Sequence, residues 1–255
     1  MPIFHLIGAL FLSLVTEAGQ VGVLGIETAY WLVRRPFRGR LLVKQFEFVG
    51  VQSTFIIVLT GLFTGAVFAL QSSYAFRQFD ANSMVGPTGV LALTRELGPV
   101  LTGLMVTGRV GSAMAAELGS MRVTEQIDAL ETLAVSPVQY LVVPRVVSAV
   151  LMMPLLSSVF AFVGSCGTYL VATRLLGISG VSFYEDTIYY VDFDDYYNGL
   201  IKAAFFGLVI GLIACHKGLR VTGGAEGVGR ATTLAVVYAS VTILISDYFL
   251  TALLF

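Results

Sequence analysis

The apolar positions along this chain fall into five long stretches. Two of them, 48–76 and 146–173, contain no charged side chain, and each exceeds the roughly 20 residues that a helix needs to cross the hydrocarbon core of a bilayer. Three more, 87–116, 198–215 and 231–255, are interrupted by one to three charges. The pattern predicts an all-α integral membrane protein with five transmembrane helices.

The first 33 residues are also apolar, but Glu17, Gln20 and Glu27 interrupt them. A basic cluster follows: Arg34, Arg35, Arg38, Arg40 and Lys44. This combination is typical of a helix that lies in the membrane interface. A sixth span is the alternative, because hydropathy alone does not separate the two. A cleaved signal peptide is not expected, since no Lys or Arg precedes the apolar run and no clear small-residue cleavage site follows it before Glu17.

Composition and loop charge support this topology. The chain is 56% hydrophobic and only 12% charged, with a mean hydropathy of +0.86. With five spans, the basic cluster and the loops 117–145 and 216–230 lie on one side of the membrane, and all three carry Lys or Arg. The loop 177–197 on the other side has five acidic and no basic residues, and its tyrosines suit an interfacial anchor. The positive-inside rule therefore predicts a cytoplasmic N-terminus.

The glycine-rich loop Gly223–Arg230 has P-loop spacing between Gly224 and Gly229. It lacks the Lys and the Ser or Thr that hold phosphates and magnesium, and it lies between two membrane helices rather than after a strand. No nucleotide site is expected in this chain, so any energy from ATP must come from a partner. The two histidines, His5 and His216, do not have metal-ligand spacing, and no metal site is expected.

Small residues recur four positions apart on several predicted helices. The pairs are Gly61 with Gly65 and Gly207 with Gly211, and two series are Gly108, Ser112, Ala116 and Gly111, Ala115, Gly119. Such faces let helix backbones approach closely. Ordinary packing within one chain is the first interpretation of each, and a homodimer seam is the alternative for one of them.

The segment after the second predicted span is too polar to cross a membrane. Thr124 is expected to cap a short helix with Glu125 and Asp128 in its first turn, and Ser136-Pro137 is expected to end it. The apolar face is Val123, Ile127, Leu130 and Ala134. The polar face is acidic, which suits docking into a partner protein better than resting on anionic lipid.

Four charges are predicted to lie at similar depth inside the membrane. Arg95 and Glu96 lie about eight residues into the second span, or roughly 12 Å, and Asp247 lies about as far from the end of the last span, with Lys202 somewhat shallower. A charge facing lipid costs about 2.5–3.5 kcal/mol, so these groups should face a cavity and one another. One interpretation is a set of pairs that lock helices together; the other is a cavity that receives a lipid headgroup. Arg109 lies about 21 Å deeper than Arg95, where snorkelling or a helix-end role is sufficient.

The run RELGPVLTGLMVTGRVGSAMAAELGSMRVTEQIDALETLAVSP, together with VVPR, RATT and the C-terminal DYFLTALLF, resembles the MlaE family of ABC-transporter permeases. The likeness covers nearly the whole chain. It implies one permease domain over 1–255, with an elbow segment at 1–45 and a transmembrane core at 46–255. It implies a homodimer in the bacterial inner membrane that moves phospholipid to or from the outer membrane.

The resemblance also implies partners and roles. The partners are cytoplasmic ATPase subunits that bind ATP and Mg²⁺, a periplasmic MCE-domain lipid-binding protein and a small cytoplasmic regulatory subunit; this chain itself needs no cofactor. By the resemblance, Arg95, Glu96 and Lys202 lie at the lipid site. To these we add Asp247, from its similar depth, and the apolar neighbours Leu70, Leu97 and Val100. The expected ATPase-coupling helix contains Thr124, Glu125, Gln126, Ile127, Asp128, Leu130 and Glu131. An ion-coupled secondary transporter, with Glu96 and Asp247 as protonation sites, is the main alternative, and a sterol or other apolar cargo is another.

Overall fold

The computed structural model describes residues 2–34 and 39–254, and within these ranges the chain forms helices and short connections with no β-strand. We number the helices α1 to α8. Their bounds are α1 Pro2–Val33, α2 Gly39–Phe79, α3 Asn82–Val123, α4 Gln126–Thr132, α5 Val138–Arg174, α6 Gly180–Tyr190, α7 Phe193–Leu219 and α8 Gly224–Leu254.

Five of these helices, α2, α3, α5, α7 and α8, are long and apolar enough to cross a membrane. They match the five predicted spans, which are therefore confirmed, and each begins at least one turn before the predicted start. Helix α7 begins at Phe193, inside the predicted external loop. Of the basic cluster, Arg35 and Arg38 lie outside the described residues.

Helix α3 contacts all four of the other long helices, and α2, α5, α7 and α8 are packed side by side around it. The closest contact joins α2 to α5: a Cβ on Gly65 would overlap the carbonyl oxygen of Gly164. Similarly, a Cβ on Gly207 of α7 would lie 2.5 Å from the carbonyl oxygen of Ala149 on α5. Because small residues bring these backbones together, the faces containing Gly65 and Gly207 are occupied within the chain, as the first interpretation predicted.

The two small-residue series on α3 differ. Gly111, Ala115 and Gly119 are buried against α7 and the segment that follows it. Gly108 has no side-chain or backbone neighbour within 4 Å of the position of a Cβ, and Ser112 and Ala116 on the same face are only half-buried. This α3 face is left open by the described part of the chain.

The second half of α1 lies across one end of the bundle. Its Glu17 accepts a hydrogen bond of 2.6 Å from Lys217 near the end of α7, and Gly25, two turns later, contacts Leu212. Leu24 is buried in a cluster that includes Leu141 at the start of α5. These contacts join the second half of α1 to the end of α7 and to the apolar cluster at the start of α5.

Helix α4 lies at this same end of the bundle, which we call the α4 end. The opposite end carries α6, whose Phe183 packs against Gly86 at the start of α3. The segment predicted as an acidic external loop is therefore partly helical. Its tyrosines at 184, 189 and 197 are exposed, in keeping with the predicted interfacial position.

Candidate functional site

Arg95 and Glu96 lie on a widened turn of α3. Residues Leu93–Leu97 form a π-helical turn, and Pro99 follows two residues later. Proline has no backbone N–H and its ring would meet the carbonyl of the residue four positions earlier in a regular α-helix, which here is that of Arg95. The π-turn relieves this conflict, and such turns are frequent at functional sites. The sequence around Pro99 therefore displaces the two charged residues from a regular helical position.

Lys202 on α7 joins α3 to α8 by a network of polar contacts. Its Nζ donates to Glu96 Oε2 at 2.6 Å, to Asp247 Oδ1 at 3.2 Å and to Thr251 Oγ1 at 2.6 Å. The Thr251 hydroxyl also lies 3.2 Å from both Glu96 carboxylate oxygens. Three of the four predicted charges thus meet directly, as expected for charged groups in a membrane segment.

Arg95 forms an ion pair with Asp195 in the first turn of α7. The second oxygen of Asp195 accepts a hydrogen bond of 3.1 Å from the backbone N–H of Asp192, and the Asp192 side chain accepts one from the backbone of Asp195 in return. This capping box fixes the start of α7. One carboxylate oxygen of Asp195 therefore pairs with the Arg95 guanidinium, while the other accepts the hydrogen bond that caps α7.

Sequence reasoning missed Asp195, which it assigned to the external loop. Two signals were available. Asp192 and Asp195 have the spacing of a capping box directly before an apolar run, which indicates that a helix begins there. Asp195 also precedes Lys202 by seven residues, or two helical turns, so both side chains lie on the same face of α7. Together these features place a third carboxylate beside the predicted charge layer.

The five charged groups, which we call the charge cluster, differ in exposure. The side chains of Lys202 and Asp195 are 0% and 5% exposed, whereas those of Arg95, Glu96 and Asp247 are 39%, 35% and 22% exposed. Two cations and three carboxylates carry a formal charge of 2 − 3 = −1. The two buried residues, Lys202 and Asp195, fix the cluster in position. Arg95, Glu96 and Asp247 are the partly exposed residues, and they present one cationic and two anionic groups to a ligand.

The apolar residues expected beside this site occupy different environments. Leu97 and Val100 are partly buried and pack against the main hydrophobic core around α3. Leu70 lies on an outer face of α2 and is 46% exposed. Leu97 and Val100 therefore support the turn that carries Arg95 and Glu96, while Leu70 faces away from the chain's own core.

Arg109 connects α3 to α2 near the α4 end. One guanidinium nitrogen donates to the Phe48 carbonyl oxygen at 3.0 Å and to Ser53 Oγ at 2.8 Å, and another donates to Gln52 Oε1 at 2.7 Å. This arrangement replaces the expected snorkelling role, because an arginine that is partly buried between helices needs acceptors for its N–H groups. Arg109 therefore links α3 to α2 by hydrogen bonds.

Helix α4 is shorter than predicted and begins differently. Thr124 is not its N-cap: the Thr124 hydroxyl donates to the Ser120 carbonyl at 2.8 Å and belongs to the end of α3. The residue before α4 is Glu125, whose φ of 58° is left-handed and which makes no side-chain cap. The chain turns too sharply there for a conventional cap. The helix also ends at Thr132, before Ser136-Pro137, because the chain turns at Ala134 with a φ of 56°.

The two faces of α4 are partly as expected. Ile127 is buried and Leu130 is partly buried against the apolar cluster at the α4 end, but Val123 and Ala134 are exposed and do not belong to the apolar face. Asp128 forms an ion pair with Arg122 on α3. The remaining coupling residues, Thr124, Glu125, Gln126 and Glu131, are exposed and available to a partner.

Comparison with known proteins places this chain among membrane permeases. The family model described as "Permease MlaE" matches residues 42–253. A probable ABC transporter permease protein of Rickettsia felis is 42% identical over all 255 residues, which cover 98% of that protein. A probable ABC transporter permease of Synechocystis is 43% identical over 85% of this chain and 82% of its own length. The intermembrane phospholipid transport system permease protein MlaE of Haemophilus influenzae is 42% identical over 84% of this chain and 83% of its own length.

Proposed function

Because the chain belongs to the MlaE family of ABC transporter permeases, we propose that it moves phospholipid between the inner and outer membranes of a bacterium, with ATP and Mg²⁺ bound by a separate ATPase chain. Membership of an ABC family decides against the ion-coupled secondary transporter. The relative from Haemophilus influenzae is named for phospholipid transport, and that name supports phospholipid over sterol as the cargo here.

The observation that carries the proposal is the charge cluster between α3, α7 and α8. Arg95 pairs with Asp195 and its side chain is 39% exposed, so a ligand can reach part of the guanidinium. A guanidinium binds phosphate oxygens by short, charge-assisted hydrogen bonds. Glu96 and Asp247 both contact Lys202 and are partly exposed. Phosphate at Arg95 and an ammonium at these carboxylates match a zwitterionic headgroup such as phosphoethanolamine.

Lys202 has a different role in this proposal. Its ammonium is fully buried between two carboxylates and a hydroxyl, so it fixes the positions of Glu96 and Asp247 rather than contacting the phosphate. The lock and the headgroup site, considered as alternatives from the sequence, are thus two parts of one arrangement. The Lys202 side holds the helices, and the Arg95 side receives the lipid.

The proposed ATPase contact is the exposed surface of α4. Glu125 and Glu131 are exposed there and Leu133 is 73% exposed at its end, which gives an apolar tip beside acidic side chains. A short amphipathic helix that presents such a surface fits a groove in a partner protein. This assignment places the α4 end in the cytoplasm, together with the N-terminus, and the α6 end in the periplasm beside an MCE-domain protein and near the charge cluster.

The proposed homodimer uses the open face of α3. Gly108, Ser112 and Ala116 form a small-residue face without a partner helix among the described residues. A second copy packed there would cover this face of α3 toward the α4 end, because small residues let two helix backbones approach closely.

Transport in proteoliposomes tests the proposal. The chain is reconstituted with its co-purified ATPase, and ATP-dependent release of fluorescent phosphatidylethanolamine is measured for the native chain and for Arg95→Gln. The control is Arg174→Gln, which changes an exposed arginine at the last residue of α5. We expect Arg95→Gln to reduce transport roughly tenfold or more, as for loss of a charge-assisted hydrogen bond, and Arg174→Gln to retain it. Equal transport by both variants would contradict the headgroup site.

A further inference from the structure

A separate crevice runs along α8 where α1 and α7 meet it. Its volume is about 550 Å³, and its walls are apolar: Ala18 and Val21 of α1, Ile213 of α7, and Val237, Val241 and Ile245 of α8. The three α8 residues are about half exposed. A cavity of this size is within the range of roughly 300–1,000 Å³ that holds small ligands.

The end of the crevice nearest the α4 end is charged. Lys217 donates to Glu17 at 2.6 Å, and its ammonium lies 4.1 Å from the centre of the Tyr238 ring. Burial raises the pKa of the Glu17 carboxyl, but the hydrogen bond and charge of Lys217 outweigh this effect, so the pKa of Glu17 lies below its ordinary value. Glu17 is therefore ionised at neutral pH, and the apolar crevice ends at a fixed ion pair.

A second, smaller cavity of about 160 Å³ begins at the same ion pair. Glu17 and Lys217 line it together with His216, Arg220 and Arg230. If His216 is counted as neutral, the three cations Lys217, Arg220 and Arg230 and the single carboxylate of Glu17 give the pocket a formal charge of +2. Arg220 is held in place by a hydrogen bond to Gln20 of α1. The two cavities form one amphipathic site, with an apolar channel at one end and a basic pocket at the other.

The depth of each part matches a lipid in the bilayer. Lys217 is two residues from the end of α7 and Arg220 follows that helix, so the basic pocket lies where headgroups lie. The apolar walls on α8 run from Val237 to Ile245, about 12 Å along the helix, within the spanning segment. Basic pockets between transmembrane helices bind the headgroups of anionic lipids.

We propose that this site binds an anionic phospholipid, with one acyl chain in the α1–α7–α8 crevice and the phosphate at Arg220 and Arg230. The site is not the proposed transport cavity. Lys217 and Lys202 are fifteen residues apart on α7, so the two sites are about 22 Å apart along the helix. Their charges are also opposite: the charge cluster has a formal charge of −1, and this pocket has an excess of +2.

The lipid bound here also connects α1 to the bundle. The crevice has α1 as one wall, and the contacts of Glu17 and Gln20 with α7 frame the basic pocket. An acyl chain in the crevice would contact Ala18 and Val21 of α1.

Fluorescence quenching by brominated lipid tests this site. The chain has one tryptophan, Trp31, so Trp31→Phe gives a silent background in which Tyr238→Trp reports on the crevice. Tryptophan at 238 preserves the contact of Lys217 with an aromatic ring. Leu244→Trp in the same background is the matched control, because Leu244 is also about half exposed on α8 but does not line the crevice. The full-length variants are placed in phosphatidylethanolamine vesicles that contain equal fractions of brominated phosphatidylglycerol or brominated phosphatidylethanolamine.

We expect brominated phosphatidylglycerol to quench Trp at 238 roughly tenfold or more effectively than brominated phosphatidylethanolamine, and to show no such preference at 244. Arg220→Gln with Arg230→Gln should abolish the preference, and the corresponding lysine variants, which keep the charge, should retain most of it. Equal quenching at 238 by the two lipids would overturn the proposal, as would a preference that survives the glutamine variants. Absence of quenching at 238 by either lipid would mean that protein covers the crevice, which also overturns it.

Discussion

Removal of the Lys202 ammonium tests the role of the charge cluster in holding the helices together. Lys202→Met keeps a long unbranched side chain at a fully buried position but leaves Glu96 and Asp247 without the cation that both contact. The Thr251 hydroxyl loses its donor as well. Two carboxylates that were held together by one ammonium then repel each other.

The structure sets the size of this effect. Breaking a buried ion pair by removing one partner typically costs about 3–5 kcal/mol. The carboxylates here are 35% and 22% exposed, so water can partly solvate them, and we expect a loss near the lower limit, about 3 kcal/mol. By the usual scaling for chains of this size, that corresponds to a fall of roughly 6–12 °C in the apparent Tm.

The assay is thermal unfolding of the purified chain in one detergent, followed by a fluorescent thiol probe or by loss of the monodisperse peak. The neutral triple variant Lys202→Met, Glu96→Gln, Asp247→Asn is the matched comparison, because it removes every charge of the network at once. We expect it to recover to within about 1 kcal/mol of the native chain. An unchanged Tm in Lys202→Met, or a triple variant no more stable than the single one, would refute the reasoning.

Three further predictions follow from the contacts described. Asp195→Asn preserves an acceptor for the α7 capping box but removes the charge that holds Arg95, so transport should fall roughly tenfold with little change in Tm. The control Asp192→Asn should leave transport and Tm nearly unchanged. Equal effects of the two variants would assign Asp195 to the helix cap alone. Glu131→Lys should weaken ATPase co-purification several-fold, and unchanged yield would count against the α4 contact. Gly65→Leu should prevent accumulation of folded chain because of the contact with α5, while Gly108→Leu should fold but dissociate the dimer on size-exclusion chromatography; a dimeric Gly108→Leu would rule out the α3 seam.

Much of the fold was predictable because hydropathy acts on each helix separately. An uninterrupted apolar stretch such as 146–173 has no alternative to a buried or membrane-spanning helix, and a rise of 1.5 Å per residue then gives depth directly. This rise places Glu96, Lys202 and Asp247 at similar levels of their helices, and the three side chains are in contact. The contacts among them followed from the cost of leaving charges against lipid.

The remaining features depend on local geometry that composition does not reveal. Asp195 joined the cluster only because α7 begins at Phe193, within a segment whose acidic composition indicated a loop. The start of α4 was wrong because the left-handed conformation of Glu125, rather than a Thr124 cap, makes the turn from α3. The path of α1 could not be derived because its polar side chains Glu17 and Gln20 bond to Lys217 and Arg220, which are 200 positions away in the sequence.

The phospholipid retained by the purified complex tests the central claim most directly. Complexes of the native chain and of Arg95→Gln, each with its co-purified ATPase, are extracted into the same detergent, and the phospholipid per chain is quantified by mass spectrometry, with Arg174→Gln as the control. If Arg95 binds the headgroup phosphate, the native complex and the control retain phosphatidylethanolamine and Arg95→Gln retains roughly tenfold less. Equal retention by all three complexes would contradict the assignment of the charge cluster as the lipid site.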